Sequence, residues 1–400
     1  MNVLVLNSGS SSIKYQLINV ETREVLAKGL CERIALKEGT FIYKDVQGTL
    51  IEKKLELPNH DFAAQLIFDE LFSEDKNFSV EAFGHRVVMG GWYFDDAVLI
   101  DDDVKAKILE LAELAPLHNY PAHAVIEASM KIHPDVPSVA IFDTAFHTTI
   151  PAKSSDYALP RDIIEKYKIK RYGAHGISHR YVAEMTKKFF EGYEQLKILS
   201  AHIGNGASLC AISHGVSVNT TMGFTPLEGL VMGTRCGTID PAIVTYVLEN
   251  SDMTAHDFFE LMNKKSGLLG LSNYSSDLRD IYFKSLEGDA QCRHAMEAYS
   301  DSIKQHIGSM VFSMGGCDVI AFTAGVGENS AQVRELALEG LEDLGIILNQ
   351  DKNDNVDVSD GLIADISHFK SRVRILVVPT NEELMMAMDT KRILAEQTGD

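Results

Sequence analysis

Short runs rich in Val, Ile and Leu alternate along this chain with longer amphipathic stretches, and that alternation restricts the fold to α/β layers. The runs Val3–Leu6, Phe83–Val88, Ser138–Phe142, Lys197–Ile203, Asp318–Thr323 and Arg374–Val378 predict buried strands. Asp102–Leu114, Pro121–Lys131, Ser178–Phe190, Asp301–Met314 and Ser330–Leu341 carry an apolar stripe at helical spacing and predict helices. One pattern occurs twice. The segment from Val3 through the turn Asn7-Ser-Gly-Ser-Ser-Ser to Ile18 reads as strand, small polar turn and strand, and Ile198 through His202-Ile-Gly-Asn-Gly to Ile212 repeats it. Two such openings imply a duplicated fold with a cleft between the copies; a chance likeness between two hairpins is the simpler alternative. At 400 residues the chain exceeds one ordinary core, so two domains are expected, with a junction at Ile150–Asp156 where Pro151 and two serines break the pattern.

The formal net charge is −20, from 57 acidic and 37 basic side chains. Such a surface repels nucleic acid and anionic membrane, so neither is expected as a partner. An anionic substrate would need the few positive charges concentrated in its site. Met1–Leu6 lacks the basic and long apolar regions of a signal peptide, and no stretch reaches the ~18 apolar residues of a membrane span. Five cysteines form no CxxC pair, which argues for free thiols, against zinc, and for the cytoplasm.

Several segments carry the marks of anion chemistry. The first turn, Asn7 to Ser12, has small side chains that let backbone N–H groups approach a phosphate, and Ser10, Ser12 and Lys14 share one strand face. The turn His202 to Ser208, with Gly204, Asn205 and Gly206, offers a similar cradle. A third glycine turn, Gly325-Val326-Gly327-Glu328-Asn329, follows a strand and leads into a helix, which would aim N–H donors at an anion. Ser330 stands where a dinucleotide fingerprint needs its third glycine, and no Walker A pattern occurs. Arg86 lies in an apolar run and Arg235 between glycines, each a planar donor fork suited to carboxylate or phosphoryl oxygens. Asp143 ends a strand, His147, His175 and His179 lie close in sequence, and Glu382 and Glu383 follow another strand. Taken singly, each reads equally as an ion pair, a cap or a solvated turn.

Together these segments closely resemble the acetate kinases, members of the sugar kinase/Hsp70/actin superfamily. The likeness runs from Val3 to about Ala387 through LNSGSSSIKY, GHRVV-GG, APLHN, FDTAFH, YG-HG-SH, HIGNGASL, MGFTPLEGLVMGTRCG, NKKSGLLG, AGVGENS and PTNEEL. The resemblance implies an α/β fold of two ribonuclease-H-like domains with an interdomain active-site cleft. One domain would be 1–150, completed by a C-terminal helix over 383–400, and the other 151–382, the nucleotide-binding one. It implies a homodimer that transfers phosphoryl between ATP and acetate, with Mg²⁺ (or Mn²⁺). Asn7 and Glu382 would help hold the metal, with Ser10, Ser12 and Lys14 near the phosphates. Arg86 and Arg235 would grip the carboxylate and the phosphoryl group, Asp143 would assist at the acyl phosphate or metal, and His175 would bond the phosphoryl. His202, Gly204, Asn205, Gly206 and Gly325 to Asn329 (with Val326, Gly327 and Glu328) would cradle the nucleotide, and Val88, Leu117, Ala174 and Pro226 would enclose the acyl methyl.

Four positions depart from the family's pattern. Ala174 replaces a phenylalanine, Met89 a histidine, Tyr120 a proline and Thr238 an aspartate. Ala174 opens the acyl pocket to propionate or butyrate unless Tyr120 or Met89 fills the space. Asn205, Gly233 and Gly325-Val-Gly327 match the form that uses ATP rather than pyrophosphate. An actin- or Hsp70-like ATPase is the alternative from another class, and the paired arginines argue against it.

Overall fold

The computed structural model describes residues 1–73 and 79–398. The chain forms two compact units, Met1–Phe146 with Asn381–Asp400, and His147–Thr380.

In the first unit the strands are β1 (Asn2–Gly9), β2 (Ser12–Asn19), β3 (Glu24–Glu32), β4 (Gly39–Asp45), β5 (Leu50–Leu55), β6 (Ala82–Val87), β7 (Val98–Leu99) and β8 (Ser138–Phe142). They form one sheet in the order β5-β4-β3-β2-β1-β6-β8-β7. β1 to β5 are an antiparallel meander, while β6 and β8 run parallel to β1. Alternate residues Leu4, Leu6, Ile13, Tyr15 and Leu17 join Phe68, Phe83 and Val125 in the core. A helix over Pro116–Ile132 packs against β1 and β6. The C-terminal helix Glu382–Thr398 packs against β1, β6 and β8; residues 399 and 400 of the predicted 383–400 helix lie outside the described residues.

The second unit repeats the scheme with β9 (Lys197–Ile203), β10 (Ala207–Ser213), β11 (Val216–Thr220), β12 (Val319–Thr323), β13 (Ala364–Asp365) and β14 (Arg374–Val377). Its order is β11-β10-β9-β12-β14-β13. β9 to β11 are antiparallel, β12 and β14 parallel to β9. The series β11-β10-β9-β12-β14 therefore matches β3-β2-β1-β6-β8 in order and direction, and this is the ribonuclease-H-like arrangement. The echoed hairpins are the first two strands of each sheet.

Several boundaries differ from the sequence reading for local reasons. The helix expected from Pro121 begins at Pro116, which takes the N-terminal position where a missing N–H costs nothing, leaving Pro121 inside the helix. The helix expected from Asp301 begins at Ala290, because the Asp289 carboxylate caps it by accepting from the Cys292 N–H at 2.9 Å. Asp102–Leu114 divides into an α-helix ending at Glu110 and a tighter turn over Leu111–Glu113. The segment Gly325–Asn329 is a helical turn, Ala324–Asn329, rather than an open glycine loop. The division of the chain falls between Phe146 and His147, and His147 belongs with the second unit by its bonds to Ser217 and the Ala174 carbonyl.

Gly84 on β6 lets the C-terminal helix lie close, since a Cβ there would sit 2.6 Å from Thr390 Oγ1. Gly84→Ala is expected to destabilise the first unit by about 1–3 kcal/mol, the usual cost of overfilling a core. Thr390→Ala, which removes the obstructing hydroxyl, should restore most of that loss. Thermal melts of the two single variants and the double variant check the coupling, and additive losses would contradict it.

Candidate active site

Each unit gathers polar groups at the C-terminal ends of its parallel strands, where open α/β sheets carry their ligands. In the first unit Asn7 comes from the end of β1, Arg86 from β6, and Asp143 from the residue after β8. Arg86 holds Asp143 in a bidentate pair, Nε to Oδ1 at 3.0 Å and Nη2 to Oδ2 at 2.7 Å, and donates from Nη1 to Asn7 Oδ1 at 3.2 Å. Burial alone would weaken the Arg86 charge, but Asp143 and then Glu382 outweigh it, so the guanidinium is held charged. Asp143 is buried with both oxygens engaged by Arg86, which gives it a fixed role in orienting that side chain.

The loop after Arg86 is braced from below. Buried Asn119 stands in for a strand partner, accepting from the Met89 N–H and donating to the Met89 carbonyl, each at 3.0 Å. Thr144 Oγ1 accepts from the Gly90 N–H at 2.9 Å. Val88 is buried on this loop, Leu117 is half-buried on the neighbouring helix, Met89 is fully buried, and Tyr120 is 48% exposed.

Ser10 and Ser11 form the exposed two-residue turn of the first hairpin, with Ser12 and Lys14 on the outgoing strand. Lys14 pairs with Glu383. Glu382 opens the C-terminal helix, and its Oε1 is buried with no hydrogen-bond partner. Burial pushes the Glu382 carboxyl up to about 7; Arg86 pulls it down, and Asp143 and Glu383 push it further up. Glu382 and Asn7 share Arg86 as a neighbour, and an orphaned carboxylate oxygen suits a hard divalent cation. Among the described residues no group of three His, Cys, Asp or Glu side chains forms a closed metal cage.

The second unit contains a histidine cluster on one face of its sheet. Ser200 and His202 alternate on β9, and Ser208 of β10 lies opposite His202 in register. His175 and His179 lie one turn apart at the start of the helix Gly176–Phe189. The His175 backbone is left-handed, with φ of 56°, and its ring stacks on His202 at 4.1 Å. A non-glycine residue held there is commonly a functional one. His202 Nδ1 bonds Ser178 Oγ at 2.8 Å.

Arg235 comes from a loop pinned by two neighbours. Arg171 donates to the carbonyls of Thr220, Thr221 and Met222 and to Glu228, which also receives the Tyr157 hydroxyl. Thr238 accepts from the Gly229 N–H through Oγ1 at 3.1 Å, the contact this position makes in place of an aspartate. Arg235 Nη1 donates to the Pro226 carbonyl at 2.8 Å. No carboxylate pairs with Arg235 among the described residues, and burial lowers its pKa. A Cβ on Gly206 would lie 3.3 Å from Arg235 Nη2 and 3.6 Å from His175 Cε1, so both side chains converge over that glycine.

Beside them lies a cavity of about 830 Å³, lined by Gly204, Asn205, Gly233, Leu268, Asp277, Arg279, Tyr282, Gly325, Val326 and Asn329, among others. At Gly233 any side chain would run into Asn205 Oδ1, 1.9 Å from a Cβ. His202, Gly206, Gly327 and Glu328 do not line it. Glu328 instead turns onto the backbone, accepting from the N–H groups of Ala324 at 2.8 Å and Thr380 at 2.9 Å. Its carboxylate is therefore engaged by backbone donors on either side of the turn. Buried Arg334 holds this turn through the carbonyls of Gly327 and Glu328, both at 2.9 Å. Ser178, Ser200, Asn119, Glu228 and Arg334 escape the sequence reading; polar residues inside apolar strands and helices were the available signal.

The acetokinase family model matches residues 2–388. The chain belongs to the acetokinase family. It is 46% identical to an acetate kinase of Caldicellulosiruptor bescii over 403 aligned positions, covering 99% of this chain and 100% of that one. It is 49% identical to an acetate kinase of Thermotoga maritima, covering 98% and 99%. Among solved structures, Porphyromonas gingivalis acetate kinase matches with a TM-score of 0.91 at 39% identity, covering 98% of this chain and 99% of that one. A propionate kinase from Francisella tularensis matches with a TM-score of 0.92, also at 39% identity and the same coverage. This acetokinase-family chain thus shares its architecture with relatives named for two different acids.

The Glu382 carboxyl generates a prediction with a definite sign. Unfolded, it loses its proton near the ordinary value of 4.5; folded, near 7. Between those values the folded state binds more protons, so stability falls as pH rises through the window, by at most about 3 kcal/mol once both states are ionised. Glu382→Gln carries no charge at any pH. Without divalent cation, its melting temperature should exceed that of the native protein at pH 8, with the gain shrinking towards zero below pH 4.5. A gain that is independent of pH would exclude Glu382 as the titrating group.

Proposed function

We propose that this protein catalyses reversible transfer of the γ-phosphoryl group of ATP to acetate, giving ADP and acetyl phosphate. A carboxylate oxygen attacks the γ-phosphorus in line, and the bond from phosphorus to the bridging oxygen of ADP breaks. The nucleophile is already anionic, so no strong base is required. The demand falls on positioning and on charge at the equatorial oxygens. Arg235, a guanidinium without an acidic partner and converging with His175 over Gly206, carries this reading. Arg235 would take the equatorial oxygens and His175 would donate to one of them. Arg86, oriented by Asp143, would hold the acetate carboxylate. Gly204, Asn205, Gly325, Val326 and Asn329 would seat the nucleotide in the adjoining cavity that they line, with Ser10, Ser12 and Lys14 near its phosphates. Asn7 and Glu382 would hold Mg²⁺, which when bound neutralises phosphate charge.

The acyl group is the place where the family's chemistry branches. Ala174 is buried and its side chain is a single methyl. Tyr120, at 48% exposed, is not packed as a plug for the missing aromatic ring. That leaves Met89, which is fully buried, as the residue that could fill the space, and a second reading, in which propionate or butyrate is used as well as acetate through an enclosure of Val88, Leu117, Ala174 and Pro226, requires that it does not. Among the described residues no helix is long and apolar enough to cross a membrane, and the five cysteines are unpaired. We place the reaction in the cytoplasm, on a chain whose acidic charge suits neither nucleic acid nor anionic membrane as a partner.

The helix Ala242–Glu249, AIVTYVLE, has no buried residue, with Ile243 45% and Tyr246 68% exposed. A run this apolar wants a partner, and a second copy of the chain is the one proposed. Replacing Ile243 and Tyr246 with glutamate is expected to convert a dimer into a 44.2 kDa monomer in size-exclusion chromatography with light scattering. A native protein that elutes as a monomer would remove the homodimer.

The activity itself is tested by trapping acyl phosphate with hydroxylamine in the presence of ATP, Mg²⁺ and acetate, propionate or butyrate. Hydroxamate should form only when a carboxylic acid is present, which an actin- or Hsp70-like ATPase would not do. Arg235→Ala is expected to lower kcat by at least roughly 10²-fold, the scale for losing one preorganised donor. Near-native turnover in that variant would take Arg235 out of the mechanism. A steep fall in kcat/KM after acetate would end the wide-pocket reading.

A further inference from the structure

His175 is one end of a chain of side chains whose direction can be worked out from the protons available. Its Nδ1 lies 2.9 Å from Ser208 Oγ. The same hydroxyl lies 2.9 Å from His179 Nε2, and His179 Nδ1 lies 2.8 Å from Ser200 Oγ. Ser200, His179 and Ser208 are all fully buried. A buried hydroxyl that fails to donate leaves its proton unpaired, which costs more than an idle lone pair.

Among the described residues Ser200 Oγ makes no other hydrogen bond, so its proton goes to His179 Nδ1. That nitrogen is then an acceptor. Burial, with His147 and His202 nearby, holds the His179 pKa well below 6.5 and keeps the ring neutral. A neutral ring with Nδ1 accepting carries its proton on Nε2 and donates to Ser208 Oγ. The Ser208 proton has one acceptor left, His175 Nδ1. Reversing any link would strand a proton at Ser200.

We propose that Ser200, His179 and Ser208 form a one-way hydrogen-bond chain that fixes His175 as its Nε2–H tautomer, making it a standing hydrogen-bond donor for the phosphoryl oxygens. His179, Ser200 and Ser208 are positioning residues; they act through His175. The inference rests on the reading of His175 as a phosphoryl ligand. It also gives the left-handed backbone at His175 a purpose, because that conformation brings Nδ1 to Ser208 while Cε1 faces Gly206 and Arg235. An imidazole with the opposite tautomer would present a lone pair to an oxygen that is itself an acceptor.

The test uses full-length protein with ¹⁵N-labelled histidine and long-range ¹H–¹⁵N correlation, which separates the two neutral tautomers. The His175 and His179 signals are identified by their loss in His175→Asn and His179→Asn. Both rings are expected as Nε2–H. In Ser208→Ala the His175 Nδ1 resonance should move to the position of an acceptor without a donor. In the same variant kcat should fall about 10- to 100-fold, the range for removing a group that orients another, with KM for ATP within about twofold. A native His175 or His179 protonated on Nδ1, or a Ser208→Ala enzyme with native kcat, overturns the relay. If His175→Asn turns over normally while both rings are Nε2–H, the tautomer chain stands and the phosphoryl role of His175 falls.

Discussion

A largely buried guanidinium with no carboxylate partner keeps donors to offer an anion, unless, like Arg334, it spends them on backbone carbonyls and an amide. The two key arginines of this chain are treated in opposite ways. Arg86 is given a bidentate carboxylate, so its charge is balanced and its plane is fixed. Among the described residues Arg235 bonds the Pro226 carbonyl and no carboxylate, so the loop holds its position while its charge is unpaired. The first arrangement suits a group that must hold still; the second suits a group that gains most when charge accumulates in front of it.

The first unit stores the complementary imbalance. Glu382 holds a carboxylate oxygen with no donor, raised in pKa by burial and by its acidic neighbours. A protein selected only for stability would replace it by an amide. Its retention matches the general pattern in which sites are less stable than their surroundings because they await a ligand. Among the described residues, then, the first unit leaves Glu382 without a donor and the second leaves Arg235 without a carboxylate, two separate local imbalances. The surrounding −20 charge makes the local character of both sites necessary.

Strands buried on both faces were legible in the sequence to the residue: Ser138–Phe142 and Lys197–Ile203 have the predicted limits, because a continuous apolar run has only one way to be buried. Helix starts were less legible, since Pro116 and Asp289 set them by local capping that an apolar stripe does not report. Within the site, the glycine turns and the arginines stood out because their residue types are unusual for their surroundings. Glu328 does something its motif does not report. A carboxylate beside a glycine-rich turn reads as part of an anion cradle, whereas here it satisfies two backbone N–H groups itself. Ser200 and Ser208 were invisible as a pair because only strand register sets Ser208 opposite His202 and two residues along from Ser200 on the same face.

The shared strand order shows how a repeated scaffold was put to two uses. In the first unit the ends of β1, β6 and the turn after β8 carry Asn7, Arg86 and Asp143, a charged and tightly paired set. In the second, the ends of β9, β12 and β14 carry His202, Thr323 and the Val378–Thr380 segment, and the nearby Glu328 carboxylate is spent on backbone donors. The second strand of each hairpin diverges likewise: β2 supplies Ser12 and Lys14, while β10 supplies Ser208 to the histidine chain. Neutral groups with their protons fixed in advance, as proposed for the chain ending at His175, would sit beside a phosphate without requiring reorganisation. That is why the same topology can carry ion pairs in one unit and an imidazole–hydroxyl chain in the other: the sheet fixes where the strand ends lie, and the residues placed there decide which charge is welcome.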